Sequence, residues 1–206
     1  MPAGTTATFA TNPINSGGSS LLTLATSATT PAGTYTITVT GAGTSATHTT
    51  AVTLGVTAPS SGGMTNGGFE TGNFTGWTTV GTAAVVSGGA HSGTYSARVG
   101  GTSPTNGDSS ISQTFTVPTG QTLLSFWYQV HCPDTVTYDW ATATLQDNTT
   151  NTTTTILARI CTNSGSWVST SAGVTAGHSY TLTFISHDDN YPGDPTYTLY
   201  DDVVVQ

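Results

Sequence analysis

The chain has 206 residues, enough for one large domain or two small ones, and a formal net charge of −8 with only two Arg and no Lys. Nothing basic is present to neutralise phosphates, which argues against nucleic acid and against an anionic membrane surface as partners; no run approaches the ~18 apolar residues of a membrane span. Charged residues are 6 % of the chain while Thr supplies 48 positions and Gly 25, so β-branched strands joined by Gly turns, an all-β fold, are expected. The start, MPAGTTATFA, has neither a basic n-region nor an apolar h-region, so no signal peptide is visible. A Thr/Gly/Ser-rich, Lys-free, acidic β chain nevertheless reads as extracellular, hence secreted.

Residues 1–57 carry four strand-like runs, TTATFAT, SLLTLATS, GTYTITVTG and THTTAVTLGV. Tyr35, Ile37 and Val39 alternate, and the Pro-Ala-Gly at 31–33 predicts a turn before them. A sandwich of the immunoglobulin type needs about seven strands, so four leave an apolar face or edge uncovered. That edge favours pairing with another chain, which makes an oligomer, or an adhesive or assembly module, one possible reading. Residues 58–63, APSSGG, read as a short linker. From residue 63 onward strands recur at spacings of roughly ten, as an antiparallel sandwich requires. They are GGFE, TGWTTV, AAVVS, YSARVGG, SISQTFTVP, TLLSFWYQV, DWATATLQD, TTTILARI, SWVSTSAGV, SYTLTFISH and YTLYDDVVV. Leu124, Phe126, Tyr128 and Val130 share one face of their strand; Leu123, Ser125, Trp127, Gln129 and His131 share the other, more polar one. His187 shares a face with Ile185 and Thr183.

Two stretches frame this second region, NGGFETGNFTGW at 66–77 and YTLYDDVVVQ at 197–206. Glu70 is the only Glu, and Asp201 and Asp202 sit in an otherwise apolar strand. Neighbouring residues point to opposite faces, so one of these carboxylates faces inward or is held by a partner. With two Arg available, a bound cation is the economical partner, and hard oxygen ligands suit Ca2+. The ordered motifs N-G-x-F-E-x-G-x-F-x-G-W, S-G-x-Y-S-x-x-V at 92–99, L-S-F-W at 124–127 and Y-x-x-Y-D-D-V resemble the carbohydrate-binding jelly rolls appended to secreted bacterial enzymes. The resemblance spans 64–206. It implies a structural calcium held by Glu70 and Asp202, with Asn66 at the head of the first motif as a further candidate ligand. Residues 1–57 resemble bacterial immunoglobulin-like repeats, on P-A-G-x-x-A-x-F and A-G-T-Y-T-I-T-V-T-G. Because residues 1–4 match the middle of such a repeat, the resemblance implies a partial first domain. The pair is similar to C-terminal appendages of secreted subtilisin-like and sedolisin-like peptidases. That implies a non-catalytic module that stabilises a parent peptidase or holds it on a polysaccharide or protein polymer.

Cys132 and Cys161 each follow a predicted strand; they pair if those strands are neighbours in one sheet, and are otherwise two buried thiols. A bridge closing this loop stabilises by ~3–4 kcal/mol. The richest polar stretch, SHDDNYPGDPTY, holds His187, Asp188, Asp189 and Asp194, and HCPDTVTYDW adds His131, Asp134 and Asp139. Three readings stay open. One is a solvated acidic loop; the second is an oxygen-ligand cation site of Asp188, Asp189 and Asp194. The third is a Zn2+ or other transition-metal site, with His131, His187, Asp188 and Asp189 as ligands or bases of a metal-dependent hydrolase. No H-E-x-x-H or G-x-S-x-G pattern supports the last. Sugar recognition needs exposed rings beside hydrogen-bonding groups, for which Trp127, Gln129, Trp140 and Tyr191 are candidates, with Trp140 and Tyr191 expected to be exposed; Tyr138 and Tyr197 lie nearby and Trp77 reads as core.

Overall fold

The computed structural model describes residues 1–26, 30, 33–56 and 63–206. The chain divides into two compact units, Met1–Ser60 and Ser61–Gln206. In the first, the four predicted runs form β1 (Thr5–Phe9), β2 (Leu22–Thr26), β3 (Gly33–Ala42) and β4 (Thr47–Val56). They pair as two antiparallel two-stranded sheets, β1 with β2 and β3 with β4. Ile37, in the alternating run of β3, is buried. Gly33 and Gly63 apart, the turn expected at 31–33 and the linker expected at 58–63 lie outside the described residues.

The second unit is an antiparallel jelly-roll sandwich. Its strands are β5 (Thr78–Val80), β6 (Ala83–Ser87), β7 (Tyr95–Gly100), β8 (Asn106–Thr116), β9 (Leu123–His131), β10 (Trp140–Asp147), β11 (Thr152–Ile160), β12 (Val168–Gly173), β13 (Ser179–Asp189) and β14 (Tyr197–Val205). One sheet has the order β11-β10-β13-β8-β5, the other β12-β9-β14-β7-β6. Period-two alternation dictates the layering: in β9 Leu124, Phe126, Tyr128 and Val130 are buried while their sequence neighbours are only half-buried. The inward residues of the two sheets meet in an aromatic stack. Phe184 lies 4.0 Å from Tyr200, 4.7 Å from Phe126 and 5.8 Å from Trp77, ring centre to ring centre.

Three local features depart from the sequence reading. The predicted strand GGFE is a pair of turns instead: Phe69 N–H donates to Asn66 O and Gly72 N–H to Phe69 O. Asn66 and Phe69 are left-handed, with φ of 52° and 57°, which a regular strand does not accommodate. Cys132 and Cys161 do pair, with sulfurs 2.01 Å apart, but not within one sheet. They follow β9 and β11, which belong to opposite sheets, so the bridge ties the two layers together. Finally, β14 carries a bulge: Asp201 pairs with Trp127 and Val204 with Ser125, leaving one extra residue on β14. Asp202, at φ 48°, sits in it.

Candidate functional site

The opening and closing motifs come together at the 88–94 loop, and the bulge explains how adjacent Asp residues serve one place. Asp201 is fully buried; its Oδ2 accepts from the backbone N–H groups of His91 (2.9 Å) and Ser92 (3.1 Å), and its Oδ1 from that of Asp202 (2.7 Å). Asp202 Oδ1 accepts from Ser92 Oγ and its Oδ2 lies against His91 Nδ1, both at 2.6 Å. Glu70 Oε1 accepts from the N–H groups of Thr94 and Tyr95 at 2.9 Å. Every carboxylate of the junction thus pins the 88–94 loop. Gly93, at φ +65°, is required there, because a side chain would collide with the Glu70 carboxylate. Burial pushes the Asp201 carboxyl up to about 7 and the neighbouring Asp202 charge adds to this, against the amides of Ser92, Asp202 and His91. Asn66 is not brought in. Its side-chain amide donates to Asn73 O (2.8 Å) and its Oδ1 accepts from Thr71 N–H (3.3 Å), tying up its own loop.

The loops that leave β9 and enter β14 build a second carboxylate group. Asp134, Tyr138, Asp189, Tyr191 and Asp194 line an open pocket of about 230 Å³. One carboxylate oxygen from each of Asp134, Asp139 and Asp189 lies within 4.8 Å of the others, the one such trio among the described residues. Asp139 is buried: Oδ1 accepts from Asp189 N–H (2.8 Å) and Oδ2 from Thr196 Oγ (2.6 Å). Burial raises its pKa; these bonds oppose that, and the charges of Asp188 and Asp189 add to it. Asp194 is raised in the same way, by desolvation and then by the charges of Asp134, Asp139, Asp189 and Asp188. Asp188 faces inward, its oxygens held at 2.8 Å by Asn190 N–H and Thr196 N–H. Two rings flank the pocket in the open: Tyr138 is 57 % exposed and Tyr191 61 %.

The remaining candidates are dispersed. His131 and His187 do not converge, because β9 and β13 belong to different sheets and both rings point outward, onto opposite faces of the sandwich. His131 stacks on Tyr197 at 4.6 Å. His187 stacks on Trp140 at 4.9 Å and bonds Asp108 at 2.6 Å through Nδ1. Trp140 is buried rather than exposed, with the Arg159 guanidinium 3.8 Å from its ring centre and the His187 ring also stacked on it, so no face is left for a sugar. Trp127 is likewise covered, by the His91 ring at 3.8 Å. Gln129 donates from Nε2 to Gly165 O at 2.7 Å. His91 is the junction residue that sequence reasoning missed; a His in a Ser/Gly loop carries no signal of the Asp202 and Trp127 contacts that fix it.

No protein-family model matches the chain, and no curated protein does. Among solved structures, TmCBM61 in complex with beta-1,4-galactotriose is similar at 20 % identity, covering 69 % of this chain and 96 % of that one with a TM-score of 0.51. The CBM22-1 xylan-binding domain from Paenibacillus barcinonensis Xyn10C matches at 18 % identity, 68 % and 90 % coverage and 0.46. A Family 16 Carbohydrate Binding Module-2 matches at 16 %, 69 % and 97 %, and 0.47. The first of these likenesses establishes the sandwich fold of the second unit.

Proposed function

We propose that the second unit is a non-catalytic carbohydrate-binding module that grips a polysaccharide by neutral sugar units at the pocket between the 132–139 and 190–196 loops. One observation carries this: Tyr138 and Tyr191 stand exposed on either flank of a pocket walled by Asp134, Asp189 and Asp194. A pyranose presents C–H groups on its faces, which pack on aromatic rings, and hydroxyl donors at its edge, which carboxylates accept strongly. Carboxylate walls repel an anionic sugar, so the pocket takes a neutral one. The Asp134, Asp139 and Asp189 trio, all oxygen donors, suits calcium, and a cation there would meet sugar hydroxyls as further ligands. Glu70 and Asp202, with the buried Asp201, make a second oxygen-donor group beside the His91 ring, gathered around Gly68, whose missing Cβ would stand 3.8 Å from an oxygen of each Asp and from Glu70 Cγ. This donor set also fits calcium, in a structural role. The motif resemblance adds a setting: secretion, with the module appended to a peptidase and residues 1–57 as an immunoglobulin-like spacer.

Native gels cast with neutral galactan or xylan test the reading. Mobility is retarded by at least one polymer, and Tyr191→Ala weakens the apparent affinity by about tenfold; retardation by none overturns it. Chelator lowers the melting temperature if calcium is resident, and an unchanged melt removes calcium from the proposal.

A further inference from the structure

Arg98 is one of only two cationic side chains in a chain of net charge −8, and it is left without an anion. Among the described residues every ion pair involves His, so no carboxylate lies within 4.0 Å of either Arg. Arg159 is exposed and covers the Trp140 ring at 3.8 Å. Arg98 has only a long contact of this kind. Its nearest ring, Tyr197, is 5.9 Å away, and its Nε–H is buried with nothing to accept it. Withdrawing part of a guanidinium from water without an acceptor is unfavourable.

The surroundings of Arg98 are donors as well. It sits on the outer face of the second sheet, in register with Leu199 and, beyond it, Gln129. In the next rung toward the pocket loops His131 is stacked on Tyr197. Neither the His131 ring nitrogens nor the Tyr197 hydroxyl has a hydrogen-bond partner among the described residues. Here a guanidinium, an imidazole and a phenol gather, with no carboxylate within 4.0 Å of the Arg98 or His131 nitrogens. We infer that Arg98, with His131 and Tyr197 beside it, binds a carboxylate carried by the polysaccharide: a uronate unit. A carboxylate matches the planar guanidinium fork with two parallel charge-assisted hydrogen bonds, which a neutral hydroxyl cannot do. β9 runs from His131 into the loop bearing Asp134 and Tyr138, and β14 emerges at Tyr197 from the loop bearing Tyr191 and Asp194. A glycan with neutral units in the pocket and a uronate on the sheet would satisfy both. The inference rests on the glycan-binding reading and adds the acidic unit to it.

Calorimetric titration with a galactotriose in which one terminal unit is galacturonate, the methyl ester of the same trisaccharide and neutral galactotriose tests this on the unaltered protein. The acid is expected to bind about tenfold or more tightly than its ester, and the Arg98→Gln variant to bring the two to parity. Arg98→Lys, which keeps the charge but not the fork, retains part of the preference. Equal affinity of acid and ester, or a preference unchanged in Arg98→Gln, overturns the inference while leaving the glycan reading intact. If none of the three ligands binds, the glycan reading falls with it.

Discussion

The second unit has two groups of carboxylates, and they are put to opposite uses. At the junction, Glu70, Asp201 and Asp202 turn their oxygens onto backbone N–H groups, a serine hydroxyl and an imidazole of the 88–94 loop. At the pocket, Asp134, Asp189 and Asp194 face an open volume flanked by exposed tyrosines. The junction is assembled from hydrogen bonds between distant parts of the chain. The pocket loop 132–139 is anchored covalently at its base, where Cys132 is bridged to Cys161. The same residue type is structural where its oxygens hold a neighbouring loop in place and open to a sugar where they face an accessible volume.

Removing the covalent anchor has the largest expected effect. Cys132→Ser with Cys161→Ser opens a loop whose ends are 29 residues apart, a loss of about 3–4 kcal/mol in chain entropy. Chemical denaturation measures it, and glycan affinity should fall along with stability because the pocket loop loses its tether. Next comes the contrast between the groups. Asp201→Ala strands three partly buried backbone N–H donors and should destabilise by about 2–3 kcal/mol, whereas Asp194→Ala relieves crowded negative charge and should leave the melting temperature unchanged or raised. A destabilised Asp194→Ala would erase the distinction between the two groups. The smallest effect is a pH dependence of opposite sign at two carboxyls. Burial raises Asp147, but His178 at 2.8 Å and the amides of Thr149 and Thr150 outweigh it and hold the pKa at about 2. Its folded value is below the ~3.9 of an unfolded chain, so its contribution is present above about pH 4 and is lost as pH falls through 2. Asp194, raised instead, gains stability on the same descent. Acid titration of Asp147→Asn should show a shallower loss, and that of Asp194→Asn a steeper one.

Much of this was legible in the chain itself. The alternation in LLSFWYQV placed Phe126 inward and Trp127 outward, because a half-buried strand has no other way to satisfy period two. The four strands of the first unit and the meeting of Glu70 with the closing Asp pair were likewise readable. Apart from the GGFE turns and Asn66, what failed depends on which strand lies in which sheet. His131 and His187 each end a strand, and nothing local says that the two strands belong to opposite layers. Trp140 reads as exposed beside a polar loop, yet Arg159 and His187 cover it from neighbouring strands. Arg98 looks like any strand arginine until the absence of a nearby carboxylate is seen in three dimensions.

The turn at the head of the second unit has a consequence for the order in which the chain is made. Gly67 O accepts from Val203 N–H, and any side chain at Gly67 would strike the Val203 carbonyl, so residues separated by most of the unit are in backbone contact. Local pairs such as β10 with β11 are available early in synthesis, but this one waits for the last strand. Until Val203 has left the ribosome, the segment 66–70 lacks its partner strand, and the Phe69 ring that the fold buries completely has mainly the nearby Phe74 and Trp77 rings to pack on. Such high contact order slows closure and prolongs the exposure of apolar surface during synthesis. A nascent chain arrested a few residues short of Val203 is therefore the species most in need of a chaperone.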